Sequence, residues 1–202
     1  MTLWRGPRPL ILASQSRARK MLLANAGLAF EAVPADIDER RIQETSKLSS
    51  PGEIASLLAR EKAIWVSARK AGHHVVGADQ TLALGRRLFN KPGNREAAAE
   101  QIRALSGQTH ALHAAIAVAL DGRIVFETVT VARMTMRRLS GEEIRAYLDE
   151  AGEAMTSSVG AYQLEGLGVH LFERIEGDHF TILGLPLLPL LDFLRSQHLL
   201  AL

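Results

Sequence analysis

The chain contains no cysteine, so thiol catalysis and disulfides are excluded, and its chemistry rests on oxygen donors and cations. Ser14-Gln15-Ser16 is followed at once by Arg17, Arg19 and Lys20. Between a strand and a helix, such a stretch gathers two hydroxyls, several free N–H groups and cations around one point. Cations at a helix N-terminus oppose the macrodipole by roughly 0.3–1 kcal/mol each, and the first-turn N–H groups lack intrahelical acceptors. A bound phosphate would answer both. A solvated basic helix face capped by Ser16 is the other reading of the same residues. No Walker A motif occurs anywhere, so the chemistry of P-loop NTPases is not supported.

A second candidate is Asp79, which follows the apolar run Val75-Val76-Gly77-Ala78. A carboxylate at the end of a strand can ligate Mg²⁺ or orient a water for attack on phosphorus; it can also cap a turn. Lys91, ahead of Pro92, can neutralise phosphate oxygens or stand solvated in a turn. Lys62 lies in the middle of a core-facing helical pattern, where a lysine either snorkels to water or joins a site. Asp36, Asp38 and Glu39 form an acidic cluster, which suits a hard divalent cation or a solvated loop. His110 and His113 are three apart on a strand pattern, so they point to opposite faces and do not share a zinc ion.

The elements that must position these residues alternate between strand and helix, which predicts an α/β fold with a mixed sheet. Strands are expected at Pro9–Ala13, Phe30–Val33, His74–Ala78, His110–Leu120, Arg123–Met136 and Gly168–Ile175, with a hairpin over Thr81–Phe89. Asp121-Gly122 between two β-rich runs is a strong hairpin signal. Helices are expected at Ser16–Ala26, Ser50 to about Lys70, Arg95–Leu105, Ser140 (with Glu143 three residues on) to about Glu150, and Pro186–His198. The start at Ser50-Pro51-Gly52-Glu53 reads as a capping box with proline at the first helical position, and Ile54, Leu57, Leu58, Trp65 and Ala68 are expected in the core. Pro34–Ser49 reads as an irregular loop or flap.

At 202 residues the expectation is one domain spanning 1–202. Hydrophobic residues make up 47% and charged residues 23%, a balance that argues against disorder. The net charge of +2 and aromatic content of 5% argue against a grip on long nucleic acid and against a single-stranded RNA platform. The longest apolar stretch, Ile182–Leu194, is broken by Pro186, Pro189 and Asp192 and is too short to span a membrane. A cytoplasmic location is expected.

The motifs occur together in an order that resembles the Maf-like nucleotide pyrophosphatases, also called septum-formation inhibitor proteins. The resemblance runs nearly end to end. It takes in Leu10–Ser16 with Arg19 and Leu22-Leu23, Asp38-Glu39, Ala59–Ala63, Gly77-Ala78-Asp79-Gln80, Lys91-Pro92, Leu105-Ser106-Gly107 with His110, Gly160-Ala161-Tyr162, Glu165-Gly166, Gly177-Asp178 and Gly184-Leu185-Pro186. It implies an elongated mixed β-sheet flanked by helices, with two lobes and a central cleft. It implies cleavage of nucleoside triphosphates between the α- and β-phosphates, giving a monophosphate and pyrophosphate, with Mg²⁺ or Mn²⁺ as cofactor. Asp79 matches the catalytic carboxylate. Ser14, Ser16, Arg19, Glu39, Lys62 and Lys91 match positions at the phosphate and metal end, Glu39 and Asp79 being the metal ligands. Ala18, Gln80 and Glu165 match positions tied to base selection.

Arg17-Ala18 departs from the family pattern, which commonly has proline followed by a bulky or basic residue. Glu165 resembles the subfamily that takes 7-methyl-GTP, since a carboxylate can accept from guanine N1–H and its amino group; dTTP and UTP are the alternative. A nucleotide-binding regulator of cell division with little catalysis is the rival function, and a homodimer is left open.

Overall fold

A computed structural model describes residues 3–202. Along the chain it has β1 (Leu10–Leu12), α1 (Arg17–Asn25), β2 (Phe30–Ala32), α2 (Glu39–Ser46), α3 (Pro51–Ser67), β3 (Val75–Leu84), β4 (Arg87–Phe89), α4 (Arg95–Leu105), β5 (Thr109–Leu120) and β6 (Arg123–Met136). Then come α5 (Gly141–Ala151), α6 (Ala154–Ser157), β7 (Phe172–Glu176), α7 (His179–Ile182) and α8 (Leu187–Ser196). The strands form a seven-stranded mixed sheet in the order β2-β1-β3-β5-β6-β7, with β4 beside β3. This is the mixed α/β class that the alternating pattern predicts.

The chain divides into two compact units: one holds the residues up to Gln80, Ala114–Thr130 and Leu183–Leu202, the other Thr81–His113 and Val131–Ile182. In the first unit β1 runs parallel to both β2 and β3, and Leu10, Ile11 and Leu12 are fully buried. Helix α3 lies on this sheet through small residues, Ala55, Ala59 and Ala63 packing against Ala115, Ala117 and Ala119 of β5. The approach is close enough that a Cβ at Gly77 of β3 would lie 2.1 Å from the Ala59 carbonyl oxygen and 2.6 Å from the Ala63 nitrogen. A strand glycine commonly marks such a contact.

The second unit is built on the antiparallel pairs β3–β4 and β6–β7. Its core joins Ile102 and Leu105 of α4 with Met134 and Met136 of β6 and Leu148 of α5. Ser140 and Glu143 form a reciprocal capping box at the start of α5. Within it His110 is 1% exposed, its Nε2 is 2.6 Å from the Tyr162 hydroxyl, and its Nδ1 has no hydrogen-bond partner. Gly160 and Ala161 both take positive φ, +79° and +63°. That bend is held by the Tyr147 hydroxyl donating to the Ala161 carbonyl (3.1 Å) and by the Gly160 N–H donating to Gln101 (3.2 Å).

Five expectations are corrected. Pro34–Ser49 is not a loop throughout: Asp38 accepts from the Arg41 N–H and starts α2. Strand β3 does not stop at Asp79 but continues to Leu84, because Asp79 has a buried counter-charge and need not leave the sheet. Ser50 makes no side-chain cap, although Pro51 does occupy the first turn of α3. The buried face of α3 is Ile54, Ala55, Leu58, Ala59, Lys62, Ala63, Val66 and Ser67; Ala68 is exposed and does not join the core, whereas Trp65, half-buried, packs against Ile11, Val66 and Val75 as expected, with Arg69 stacked 3.8 Å over its ring. β7 begins at Phe172 and not Gly168, since Leu167–Leu171 forms a 3₁₀ turn.

Candidate active site

Arg19, half-buried on α1, organises the phosphate-loop candidate of the first unit. Its Nε donates to the Gly184 carbonyl (2.8 Å), and one Nη donates to the Ala78 carbonyl (2.8 Å) and to Ser14 Oγ (3.2 Å). Those are three of the five guanidinium N–H donors. Arg19 therefore acts first as a brace between three chain segments, and only its remaining edge can meet a ligand. Gly184 has φ +82°, and a Cβ there would press on Arg19 and Gln80 at 3.3–3.4 Å, so glycine keeps this contact open.

The two serines of the loop are set as donors. Ser14 Oγ accepts from the Ser16 N–H (3.2 Å) as well as from Arg19, and Ser16 Oγ accepts from the Arg19 N–H (3.3 Å) as the cap of α1. Neither hydroxyl donates a hydrogen bond among the described residues. With their oxygens engaged as acceptors, both O–H groups are left to give to an anion at the N-terminus of α1. Ala18, half-buried, offers no polar group here, and Gln80 follows Asp79 on β3.

Beside this loop lies a charged triad. Lys62 Nζ donates to Asp79 Oδ1 at 2.6 Å and pairs with Glu39 Oε1 at 2.9 Å. Lys62 and Asp79 are buried, with side chains only 10% exposed, whereas the Glu39 side chain is 52% exposed. One carboxylate is thus deep and the other faces solvent, with a single ammonium between them. The close seat of α3 on Gly77 brings Lys62 to Asp79, and the first turn of α2 brings Glu39. Burial pushes the Asp79 carboxyl above the usual carboxylate range; Lys62 and Arg19 pull it back, and Glu39 adds to the rise. Burial draws the Arg19 guanidinium below its usual value, against Asp79 and Glu39. A carboxylate raised in this way is a better base near neutral pH than a free one.

The fold thus brings Ser14, Ser16, Arg19, Glu39, Lys62, Asp79 and Gln80 together in one unit. Lys91 and Glu165 belong to the second unit, and both are exposed there. The acidic cluster splits: Asp38 caps α2, Glu39 meets Lys62 and Asp36 stays exposed. The bracing carbonyls of Ala78 and Gly184 leave no mark in the sequence, since a backbone carbonyl is common to every residue type. Among the described residues no helix is long and apolar enough to cross a membrane, and no group of three or more His, Asp or Glu is arranged to hold a metal. Asp79 and Glu39 are instead a pair. That donor set fits Mg²⁺ or Mn²⁺, which usually take one or two carboxylates and complete their shell with substrate phosphates and water.

The family model described as Maf-like protein matches residues 9–197. A nucleoside triphosphate pyrophosphatase of Bradyrhizobium diazoefficiens is 72% identical over 201 residues, covering 100% of both chains. A 7-methyl-GTP pyrophosphatase of Rhizobium etli is 53% identical over 189 residues, 93% of this chain and 95% of that one. Among solved structures, a HAM1 protein from Coxiella burnetii is a loose likeness, with TM-score 0.42 and 20% identity over 65% of this chain and 74% of that one.

Proposed function

Because this chain belongs to the Maf-like family, we propose that it is a nucleoside triphosphate pyrophosphatase, a hydrolase that splits the α–β anhydride of its substrate. The observation that carries the reading is the Asp79–Lys62–Glu39 triad beside a braced loop with two donor hydroxyls. Asp79 takes a proton from a water as its oxygen attacks the α-phosphorus. The bond from that phosphorus to the bridging oxygen breaks, and pyrophosphate leaves. Ser14 and Ser16 donate to the phosphates, and Arg19 and Lys62 stabilise charge on the departing group. Lys91 is assigned to the same charge by resemblance, as Ala18, Gln80 and Glu165 are to the base. Asp79 and Glu39 would hold the divalent cation, whose charge neutralises triphosphate oxygens. The chain acts as one Maf-like domain, in the cytoplasm, cleaning the nucleotide pool.

The relative from Rhizobium etli is named for 7-methyl-GTP, and Glu165 suits a guanine edge. We take 7-methyl-GTP as the first substrate to test, with dTTP and UTP as the alternative. Steady-state pyrophosphate release from 7-methyl-GTP, dTTP, UTP and pseudo-UTP, each with Mg²⁺ and Mn²⁺, decides it. Highest kcat/KM for 7-methyl-GTP is expected. Binding without release from every triphosphate would replace the enzyme with a nucleotide-binding regulator.

A further inference from the structure

The ammonium of Lys62 sits where two carboxylates converge, 2.6 Å from one and 2.9 Å from the other. This is the locus that the proposed reading gives to the divalent cation, and the inference rests on that reading. A divalent cation between the same two oxygens would stand against the ammonium and be repelled by it. We propose that Lys62 is a stand-in cation: it fills the Asp79–Glu39 pair while no nucleotide is bound, excludes free divalent metal, and gives the pair up only when metal arrives with a triphosphate.

The charges make the exchange depend on the nucleotide. With Lys62 in place, the triad carries one net negative charge, and the deep carboxylate is neutralised. Taking Lys62 away from Asp79 without a new partner would leave a buried ammonium unpaired, which is costly. Free metal offers Lys62 no such partner. A triphosphate does, because its oxygens can accept the three N–H groups of the ammonium. Lys62 thus moves from carboxylate to phosphate as the nucleotide enters. The exposure gradient fits the exchange: Glu39 at 52% is the solvent-side partner and can release first, while Asp79 at 10% stays fixed on β3. The same lysine that blocks the empty site then serves the leaving group.

The test is a nucleotide-free Mn²⁺ titration read by electron paramagnetic resonance. Lys62→Met removes the stand-in and leaves two facing carboxylates, so Mn²⁺ should bind at least about tenfold tighter than to the wild type. Adding Glu39→Gln to that variant should abolish the gain. Unchanged affinity in Lys62→Met, or a gain that survives Glu39→Gln, would overturn the proposal. A measurement on the wild type guards against a variant that fails to fold. The Lys62 ammonium resonance should stay in place with Mg²⁺ alone, at the concentration that supports turnover. A shift with Mg²⁺ alone also overturns it. Pyrophosphate release by the same wild-type sample is scored separately: its absence sinks the pyrophosphatase reading, and the Mn²⁺ result sinks only the stand-in.

Discussion

Lowering the pH should unfasten the second unit through one residue. Burial lowers His110 from 6.5 to about 4, so the imidazole is neutral in the folded chain and titrates normally in the unfolded one. The unfolded state therefore binds the extra proton between those values, and stability contributed by the neutral ring is full above about pH 6.5 and lost as pH falls toward 4. From the two values the loss is about 2 kcal/mol between pH 7 and pH 5, and about 3 kcal/mol by pH 4. The neighbouring phenols do not interfere: burial pushes Tyr147 up to about 12 and Tyr162 higher still, so both stay neutral. The assay is urea denaturation of the wild type and His110→Gln at half-unit pH steps. The variant loses the Tyr162 contact at every pH but has no ring to protonate. The stability gap between the two proteins should therefore narrow by about 2 kcal/mol from pH 7 to pH 5. Parallel pH–stability curves would refute the argument.

Further outcomes follow from the first unit. Asp79→Asn should lower kcat by about 10²–10⁴-fold, the usual contribution of a general base, while Glu39 keeps Lys62 paired and the circular dichroism stays native; a kcat within tenfold of wild type removes Asp79 from that role. Arg19→Lys cannot reproduce a brace to Gly184, Ala78 and Ser14 at once, so stability should fall by about 2 kcal/mol in urea denaturation and KM for the triphosphate should rise. Gly77→Ala sets a methyl against the α3 backbone; a loss of about 1–3 kcal/mol together with reduced kcat is expected, and an unchanged melting temperature contradicts the close contact. Chelation of divalent metal should stop pyrophosphate release and leave the far-ultraviolet spectrum intact, with Mg²⁺ or Mn²⁺ restoring turnover.

Much of this was legible where a local rule has one solution. Asp121-Gly122 marked the β5–β6 hairpin, and both residues take positive φ there, +49° and +77°. Ser140 and Glu143 marked α5 for the same reason. Asp79 was found as chemistry but misplaced as a strand end, because aspartate is rare inside strands and its counter-charge comes from a helix elsewhere in the sequence. Lys62 did carry a signal: Ile54, Leu58 and Lys62 follow at four-residue steps, so the lysine shares the buried stripe. Helix α2 was hidden by its polar sequence, which has no buried residue. The Arg19 brace was invisible, since two of its three partners are backbone carbonyls and those carry no residue identity.

That brace also closes late. Arg19 reaches Ala78 across 59 positions but Gly184 across 165. Closing the longer loop costs only about 0.9 kcal/mol more in chain entropy, so equilibrium barely distinguishes the two contacts. Synthesis does, because a ribosome delivers Ser14, Lys62 and Asp79 long before Gly184. A nascent chain that has not yet exposed the 183–202 segment has Ser14, Lys62 and Asp79 but lacks one of the three partners that brace Arg19. The full brace of Arg19 therefore closes only when the 183–202 segment docks, long after the loop it steadies has been made.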